Sequence, residues 1–340
     1  MASEPQLTTS TVASEAPEPV WITEAEAAAL LSLPEAIEAL AEVHRLYAGG
    51  EAKNMVKTQA QAGPANLHAV GAVVPGDGIA GTKTWMHTPG GAQPLLVLFS
   101  PADGSVVALV EAFALGQRRT GATSALATRE LSRPESATLA LIGTGKQAAA
   151  QAEAVCAVRP IAAISVYGRD AERRRACVER VQERVEAYVR EEDSLATALA
   201  HGDVITLVTR AAEPFVTASQ LNPGTHVNGV GAILPDRREL DVDAVAAFDL
   251  IAVDSRDQAK AASGELRAAV ADGRLEWSGV HELGEVLTGA VPGRANEDQI
   301  TFFKAMGVGI ADVALGAEVL RRARQQGGGR PLPVTEAAHH

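Results

Sequence analysis

Residues 136–150, SATLALIGTGKQAAA, place a strand, a tight turn and a helix start in one short segment. Thr138 to Ile142 is an apolar run of strand length, and Gly143-Thr144-Gly145 gives the backbone freedom for a sharp turn. From Lys146 onward the segment is alanine-rich and predicts a helix, with Gln147 and Gln151 on its surface. A helix N-terminus behind such a turn offers unpaired N–H groups and a positive dipole end, which suits a pyrophosphate. The spacing Gly143-x-Gly145-x-x-Ala148 is the G/A form of the dinucleotide fingerprint. A second apolar run, AAISVY (162–167), follows one helix later, and the ribose-reading position comes just after it. The segment therefore predicts a βαβ unit that binds a dinucleotide, with Gly143, Thr144, Gly145, Lys146 and Gln147 around the phosphates.

The rhythm of the chain changes on either side of this turn. Ser32 and Glu35 have capping-box spacing, and a helix is expected from Leu33 to Tyr47 with Ile37, Leu40, Ala41 and His44 on one stripe. Residues 55–115 read as strands with Gly- and Pro-rich turns: LHAVGAVV, AGTKTW, PLLVLFS and VVALVEA. A helix from Thr120 to Leu131 leads into the glycine turn. Beyond it, strands near 138–142, 162–167, 187–189, 203–208, 225–230 and 249–253 alternate with helices, as in a doubly wound parallel sheet. A last helix, Ala311 to Arg324, is expected to fold back on the first domain. The fold class expected is α/β: a Rossmann-type doubly wound sheet plus a second, mixed α+β domain. Residues 118–301 form the first and residues 21–117 with 302–326 the second. Residues 1–20 and 327–340 read as disordered tails.

Composition narrows the function. The net charge of −12 argues against binding nucleic acid or a membrane surface. No apolar run approaches the roughly 18 residues that span a bilayer, and the polar N-terminus lacks a secretory pattern, so the cytoplasm is expected. Cys156 and Cys177 fall in helices without metal-ligand spacing and read as reduced thiols; no metal site is expected. His87 and His226 are candidates for titration near neutral pH, although no motif marks either as catalytic.

Cofactor choice turns on Tyr167-Gly168-Arg169-Asp170. A carboxylate directly after the strand would bind the ribose 2′-hydroxyl, whereas a guanidinium suits a 2′-phosphate. Here Gly168 and Arg169 come first and Arg173, Arg174 and Arg175 follow, so NADP(H) is favoured over NAD(H), with Asp170 as a helix N-cap. Thr209, Val230 and Gly231 fall at C-terminal strand ends, where ligands of such sheets bind. Arg119 stands at the head of the expected RTGA helix; its planar fork matches a carboxylate, with Gly121 and the helix amides completing an anion site.

A set of ordered motifs resembles the ornithine cyclodeaminase/mu-crystallin family. They are AGTKTW (80–85), GQRRTGATSALAT (116–128), ALIGTGKQA (140–148), EPFV (213–216), PGTHVNGVGA (223–232), REL (238–240), LIAVDSRDQA (250–259), ELGEVLTG (282–289) and GRANEDQITFFKAMGVGIADVA (293–314). The resemblance spans most of residues 33–325. It implies a Rossmann domain, a second domain that forms a homodimer, and a cleft between them facing a nicotinamide. It puts Lys83 in that cleft, on the substrate carboxylate or the reacting nitrogen. Thr209, Val230 and Gly231 would lie near the nicotinamide, Lys304 and Gly307 would pack over its ring or ribose, and Asp312 would orient a cleft lysine.

Two positions depart from the family pattern. Lys57 stands where relatives commonly carry an arginine of the carboxylate clamp, and lysine offers a point charge instead of a fork. Ile233 stands where ornithine cyclodeaminases have an aspartate, and an isoleucine moves no proton. The expected activity is NAD(P)H-dependent reduction of the C=N bond of a small α-imino carboxylate, or the reverse dehydrogenation of an amino acid. A keto acid with an amine is a further substrate class. Alternatives are a cyclodeaminase-type ammonia-lyase that recycles NAD+ and a non-catalytic NADPH-dependent binder of a small ligand. The expected catalytic set is Lys83, Arg119, Lys57 and Asp312.

Overall fold

A computed structural model describes residues 18–333. The first sheet is mixed. It comprises β1 (Val20–Ile22), β2 (Lys53–Asn54), β3 (Thr58–Ala62), β4 (Ala65–Val74), β5 (Ile79–Thr88), β6 (Gly91–Ala92), β7 (Leu95–Phe99) and β8 (Val106–Glu111). Two helices, α1 (Glu24–Leu30) and α2 (Leu33–Ala48), precede β2. The main path runs β1-β8-β7-β5-β4-β2, with only the β1–β8 pair parallel, and β3 and β6 attach to β4 and β5. The capping box at Ser32 and Glu35 is present, and Ile37, Leu40, Ala41 and His44 of α2 are buried as the stripe predicts.

The chain leaves this sheet through α3 (Phe113–Leu131). Then come β9 (Thr138–Ile142), α4 (Ala148–Cys156), β10 (Ala163–Tyr167), α5 (Ala171–Gln182), β11 (Tyr188–Glu191), α6 (Leu195–Ala200), β12 (Val204–Leu207) and β13 (His226–Gly229). They are followed by α7 (Val242–Ala246), β14 (Leu250–Val253), α8 (Arg256–Ala262), α9 (Gly264–Ala271), β15 (Val280–Glu282), α10 (Leu283–Leu287) and β16 (Thr301–Lys304). These eight strands form one sheet, in the order β11-β10-β9-β12-β13-β16-β14-β15, with every pair parallel. The strands read as near-continuous apolar runs because both faces are covered. Strand order reverses between β9 and β12, which makes their C-terminal edge the switch point where dinucleotides bind.

Residues 305–308 carry the chain back to α11 (Gly309–Gln326), which lies on β4, β5 and β7 of the first sheet. The expected fold-back is therefore present, and the architecture is a Rossmann-type sheet joined to a mixed α+β unit. The main differences lie at boundaries. The expected helix at Thr120 begins at Phe113, because Glu24 of α1 accepts hydrogen bonds from the N–H groups of Phe113 and Ala114. A boundary at residue 302 would cut β16, whose register with β13 and β14 puts Thr301–Lys304 inside the second sheet. Residues 327–333 are not a free tail: β17 (Arg330–Pro331) pairs antiparallel with β1, and Gly329 N–H donates to Glu26. The tail expectations for 1–17 and 334–340 fall outside the described residues. No helix of the described residues is long and apolar enough to cross a membrane.

The core joins the two sheets through α3. Leu126, fully buried, packs in one apolar cluster with residues of α2, α11, β8 and β16. Leu126→Ala should cost about 2–5 kcal/mol of unfolding free energy, the usual range for a leucine cavity. Urea denaturation followed by circular dichroism measures it.

Candidate active site

Lys83 sits mid-strand in β5, opposite Val70 of β4 and Leu96 of β7, on the face that α11 covers. The pleat directs its side chain off the sheet, where it is nearly buried. Its Nζ lies 2.5 Å from Asp312 Oδ1 of α11. Arg119 Nε of α3 approaches the same oxygen at 3.4 Å. Three elements from distant parts of the sequence thus meet at one carboxylate: β5 with Lys83, α3 with Arg119 and α11 with Asp312. Lys57, half-buried just before β3, brings a third cation; its Nζ lies 6.0 Å from the Trp85 ring centre and that of Lys83 lies 5.2 Å from it. Trp85 in turn stacks on His68 at 4.8 Å.

The electrostatics favour an anion. Burial lowers the pKa of Lys57, and the nearby charges of Arg119 and Lys83 lower it further. Burial also lowers the pKa of Lys83, and Asp312 opposes that shift. Burial alone would raise Asp312, but the pull of Arg119 and Lys83 outweighs it and holds the carboxyl below its ordinary value. Asp312 Oδ2 is buried and has no hydrogen-bond partner among the described residues. Three cations thus face Asp312, whose charge is spent chiefly on Lys83 and Arg119, and a second carboxylate, Asp254, lies near Lys57 and Arg119.

The C-terminal edge of the parallel sheet closes this cluster. Asp254, just after β14, is fully buried and accepts from Met306 N–H at 3.0 Å and Gly307 N–H at 2.7 Å. It fixes the chain where it returns to α11. Gly307 abuts Arg119: a Cβ there would stand 3.3 Å from the guanidinium Nη1. Lys57 N–H reaches Gln258 Oε1 of α8 at 3.5 Å.

At the glycine turn, Gly143 has φ of 123° and a Cβ there would lie 2.8 Å from the Val208 carbonyl oxygen. Gly145 faces open space. No hydrogen bond engages the N–H groups of Thr144, Gly145, Lys146 and Gln147 among the described residues, and Gln147 Oε1 is buried without a partner. Unspent donors beside an open glycine match the needs of a pyrophosphate, so these residues fit a dinucleotide. Lys146 Nζ lies 5.9 Å from the ring centre of Phe113, at the head of α3. Asp170 caps α5 through Arg173 N–H at 3.0 Å, as expected. Arg169 and Arg173 are exposed.

Several expectations need correction. Arg119 lies inside α3, so no helix-terminal amides surround it; Gly121 instead lets α3 approach α4, with Ala150 O 3.0 Å from where its Cβ would be. Lys304 does not face a ligand. It is fully buried, donating to the Ala232 carbonyl at 2.6 Å and to Glu265 at 3.2 Å. Arg174 is held by Asp193 at 2.5 Å and Glu191 at 3.3 Å, which removes it from any phosphate. His226 is buried between Thr301 and Asn228, and burial pushes its pKa down to about 3, so it does not titrate near neutrality. Gln151 is buried in α4 and not on its surface. Asp254, Glu239 and the Trp85–His68 pair emerge only from the structure; Asp254 and Glu239 lie inside the AVDS and REL segments, which carry no spacing that says what they touch.

The sequence pattern of the ornithine cyclodeaminase/mu-crystallin family matches residues 20–327. A Δ1-pyrroline-2-carboxylate reductase of Bacillus cereus is 34% identical over 241 residues, covering 70% of this chain and 73% of that protein. The structure of Thermococcus litoralis Δ1-pyrroline-2-carboxylate reductase in complex with NADH and L-proline superposes with a TM-score of 0.87 at 27% identity, covering 92% of this chain and 100% of that one. An archaeal alanine dehydrogenase dimer with bound NAD gives 0.87 at 30% identity, covering 94% of this chain and 100% of that one.

Removing Asp312 leaves buried Lys83 and half-buried Arg119 without their shared counter-charge. Asp312→Ala should destabilise the fold by about 3–5 kcal/mol, the cost of breaking a buried pair on one side. The unfolding free energy in urea checks this, and a loss under about 1 kcal/mol would place the pair with weakly coupled surface ion pairs instead.

Proposed function

The chain belongs to the ornithine cyclodeaminase/mu-crystallin family, and on that premise we propose that it reduces the C=N bond of a small α-imino carboxylate, or oxidises the matching amino acid. It is a nicotinamide-dependent oxidoreductase of the CH–NH class. The observation that carries the reading is the meeting of Lys57, Lys83 and Arg119 beside the C-terminal edge of the parallel sheet. When bound, the nicotinamide supplies or accepts a hydride.

The residues of this chain divide the work. Arg119 and Lys57 hold the substrate carboxylate, Arg119 through parallel N–H donors and Lys57 as a point charge. Lys83, nearly buried and with its pKa lowered by burial, gives a proton to the substrate nitrogen in the reductive direction. Asp312 keeps Lys83 protonated and aimed. Thr144, Gly145, Lys146 and Gln147 hold the pyrophosphate with unspent N–H groups, and Gly143 shapes their turn. Thr209, Val230 and Gly231 line the nicotinamide side, and Gly307 borders the cleft against Arg119. Ile233, half-buried just after β13, has no group to move a proton, which weighs against cyclodeamination.

NADP(H) is the preferred cofactor in this reading. Arg169 and Arg173 are exposed after β10, and the nearby Asp170 is occupied as an N-cap. A homodimer is also part of it. Leu67 and Met86, register partners on β4 and β5, and Met55 and Val56 expose apolar side chains on the first sheet. Two free cysteines suit a cytoplasmic protein.

Absorbance at the reduced nicotinamide band, with NADPH and cyclic ketimines such as Δ1-pyrroline-2-carboxylate, tests the activity; no oxidation with any imino acid would overturn it. Lys83→Ala should cut kcat/KM by about 10²–10⁴, the range for a general acid, while leaving NADPH affinity intact. Arg119→Ala should cost about 2–5 kcal/mol in kcat/KM. Because Lys83 must be protonated to reduce an imine, kcat/KM should fall as pH rises through a pKa below the ordinary 10.5 of lysine. A rate that stays flat to that pH contradicts the role. Arg169→Ala should move the NADPH-to-NADH preference about tenfold or more toward NADH, the worth of one charge-assisted hydrogen bond; an unchanged ratio rejects the phosphate assignment.

A further inference from the structure

Glu239 is fully buried behind the C-terminal ends of β12 and β13, on the side of the switch point where Rossmann sheets take the nicotinamide. Its Oε1 accepts from the Thr209 N–H and hydroxyl, both at 2.7 Å. Its Oε2 accepts from Gly231 N–H and Ala232 N–H, both at 3.1 Å. Four donors on two oxygens match the acceptor sites of an ionised carboxylate, and three of them are backbone N–H groups, which cannot accept a proton from it. Burial pushes the Glu239 pKa up, and Lys304 and the Thr209 donors oppose that rise. The two loops it joins are in backbone contact: a Cβ on Gly231 would stand 2.0 Å from the Thr209 carbonyl oxygen. Behind Glu239 lie Glu265, which accepts from Glu239 N–H at 3.1 Å, and Lys304, which donates to Glu265 at 3.2 Å and to the Ala232 carbonyl at 2.6 Å. Two carboxylates and one ammonium leave this buried group with an excess of negative charge.

We propose that Glu239 is a positioning residue that acts through its charge. It fixes the Thr209 and Gly231–Ala232 loops and supplies a buried negative charge that favours the oxidised, cationic nicotinamide over the reduced, neutral one. This rests on the dinucleotide reading above. A fixed charge in a low-dielectric surround acts strongly on a ring whose charge changes by one unit. The bias runs toward hydride donation, and so toward imine reduction. Glu265 adds to the charge and Lys304 offsets it; Lys304 also holds the Ala232 carbonyl, whereas Glu265 touches neither the Thr209 nor the Gly231–Ala232 loop, so Glu265 is the group that separates charge from bracing.

Equilibrium binding tests the proposal without turnover. The dissociation constants of the oxidised and reduced dinucleotide would be measured by titration calorimetry, using whichever phosphorylated or unphosphorylated pair the unmutated protein binds more tightly. The matching adenosine fragment, 2′,5′-ADP or 5′-ADP, serves as control. Glu239→Gln should raise the oxidised-to-reduced ratio of dissociation constants several-fold to about tenfold, the scale of one charge removed from a low-dielectric site. Binding of the fragment should not change. Glu265→Gln keeps the acceptor at Oε1 and should shift the ratio in the same direction, and Lys304→Met in the opposite one. If Glu239→Gln does not fold, the other two variants decide. Ratios unchanged in folded variants, or equal weakening of both dinucleotides and the fragment, would overturn the proposal. An unmutated protein that binds neither dinucleotide would instead overturn the reading on which it rests.

Discussion

The buried contact between Asp312, Lys83 and Arg119 is the point on which the rest of the molecule turns. Each partner comes from a different structural commitment. Lys83 needs the antiparallel register of β5 between β4 and β7. Arg119 needs α3, the helix by which the chain leaves the first sheet, and Asp312 needs α11, the helix by which it returns. A carboxylate so deeply buried would resist ionisation by itself; the two cations reverse that preference. Buried ion pairs often add little net stability compared with well-packed apolar side chains. The physical gain is geometric, because the pair fixes where two cations stand and in which direction their remaining donors point.

That arrangement also resolves a contradiction in charge. The chain carries a net −12, yet the cleft holds three cations and its nearest ionised partner is Asp312. Low-dielectric walls focus a local field, so a small anion responds to the cleft more than to the distant acidic surface. The neighbouring cations lower the pKa of Lys57 beyond what burial does, whereas at Lys83 the Asp312 carboxylate outweighs the repulsion from Arg119. A bound carboxylate would offset that repulsion, which couples substrate binding to the protonation of Lys83.

The parallel sheet is legible from sequence because its strands are apolar runs separated by helices, and the glycine turn sets their start. The first-sheet strands are legible through their Gly- and Pro-rich turns. β16 is not: TFFK is only four residues long, and its place between β13 and β14 depends on a crossover that no local pattern encodes. Lys83, Arg119 and Asp312 stand out through family likeness and side-chain chemistry, not spacing, since Lys83 and Asp312 are 229 positions apart. Lys304 misleads for a related reason. The family resemblance puts it over the cofactor ring, but its partner Glu265 lies on α9, out of reach of any local pattern. Arg119 reads as a helix start because the helix looks shorter than it is; the missing turn is capped by Glu24, 89 residues away.

Glu239 and Asp254 solve a problem that the second sheet creates. Parallel strands end at one edge, and the loops leaving that edge have N–H groups that no neighbouring strand can satisfy. A ligand-binding edge cannot cover those groups with helices without closing the cleft. A buried carboxylate meets the need from below. Asp254 gathers the N–H groups of Met306 and Gly307, and Glu239 gathers those of Thr209 and Ala232 and shares that of Gly231 with the Leu207 carbonyl of β12. Burial raises the pKa of both carboxylates, and a nearby cation opposes part of that rise, Arg119 at Asp254 and Lys304 at Glu239. The cations that look like ligand-binding groups in the sequence are thus divided by the fold: Lys304 is spent on the scaffold beneath the cleft, and Lys57, Lys83 and Arg119 stand where an anion can meet them.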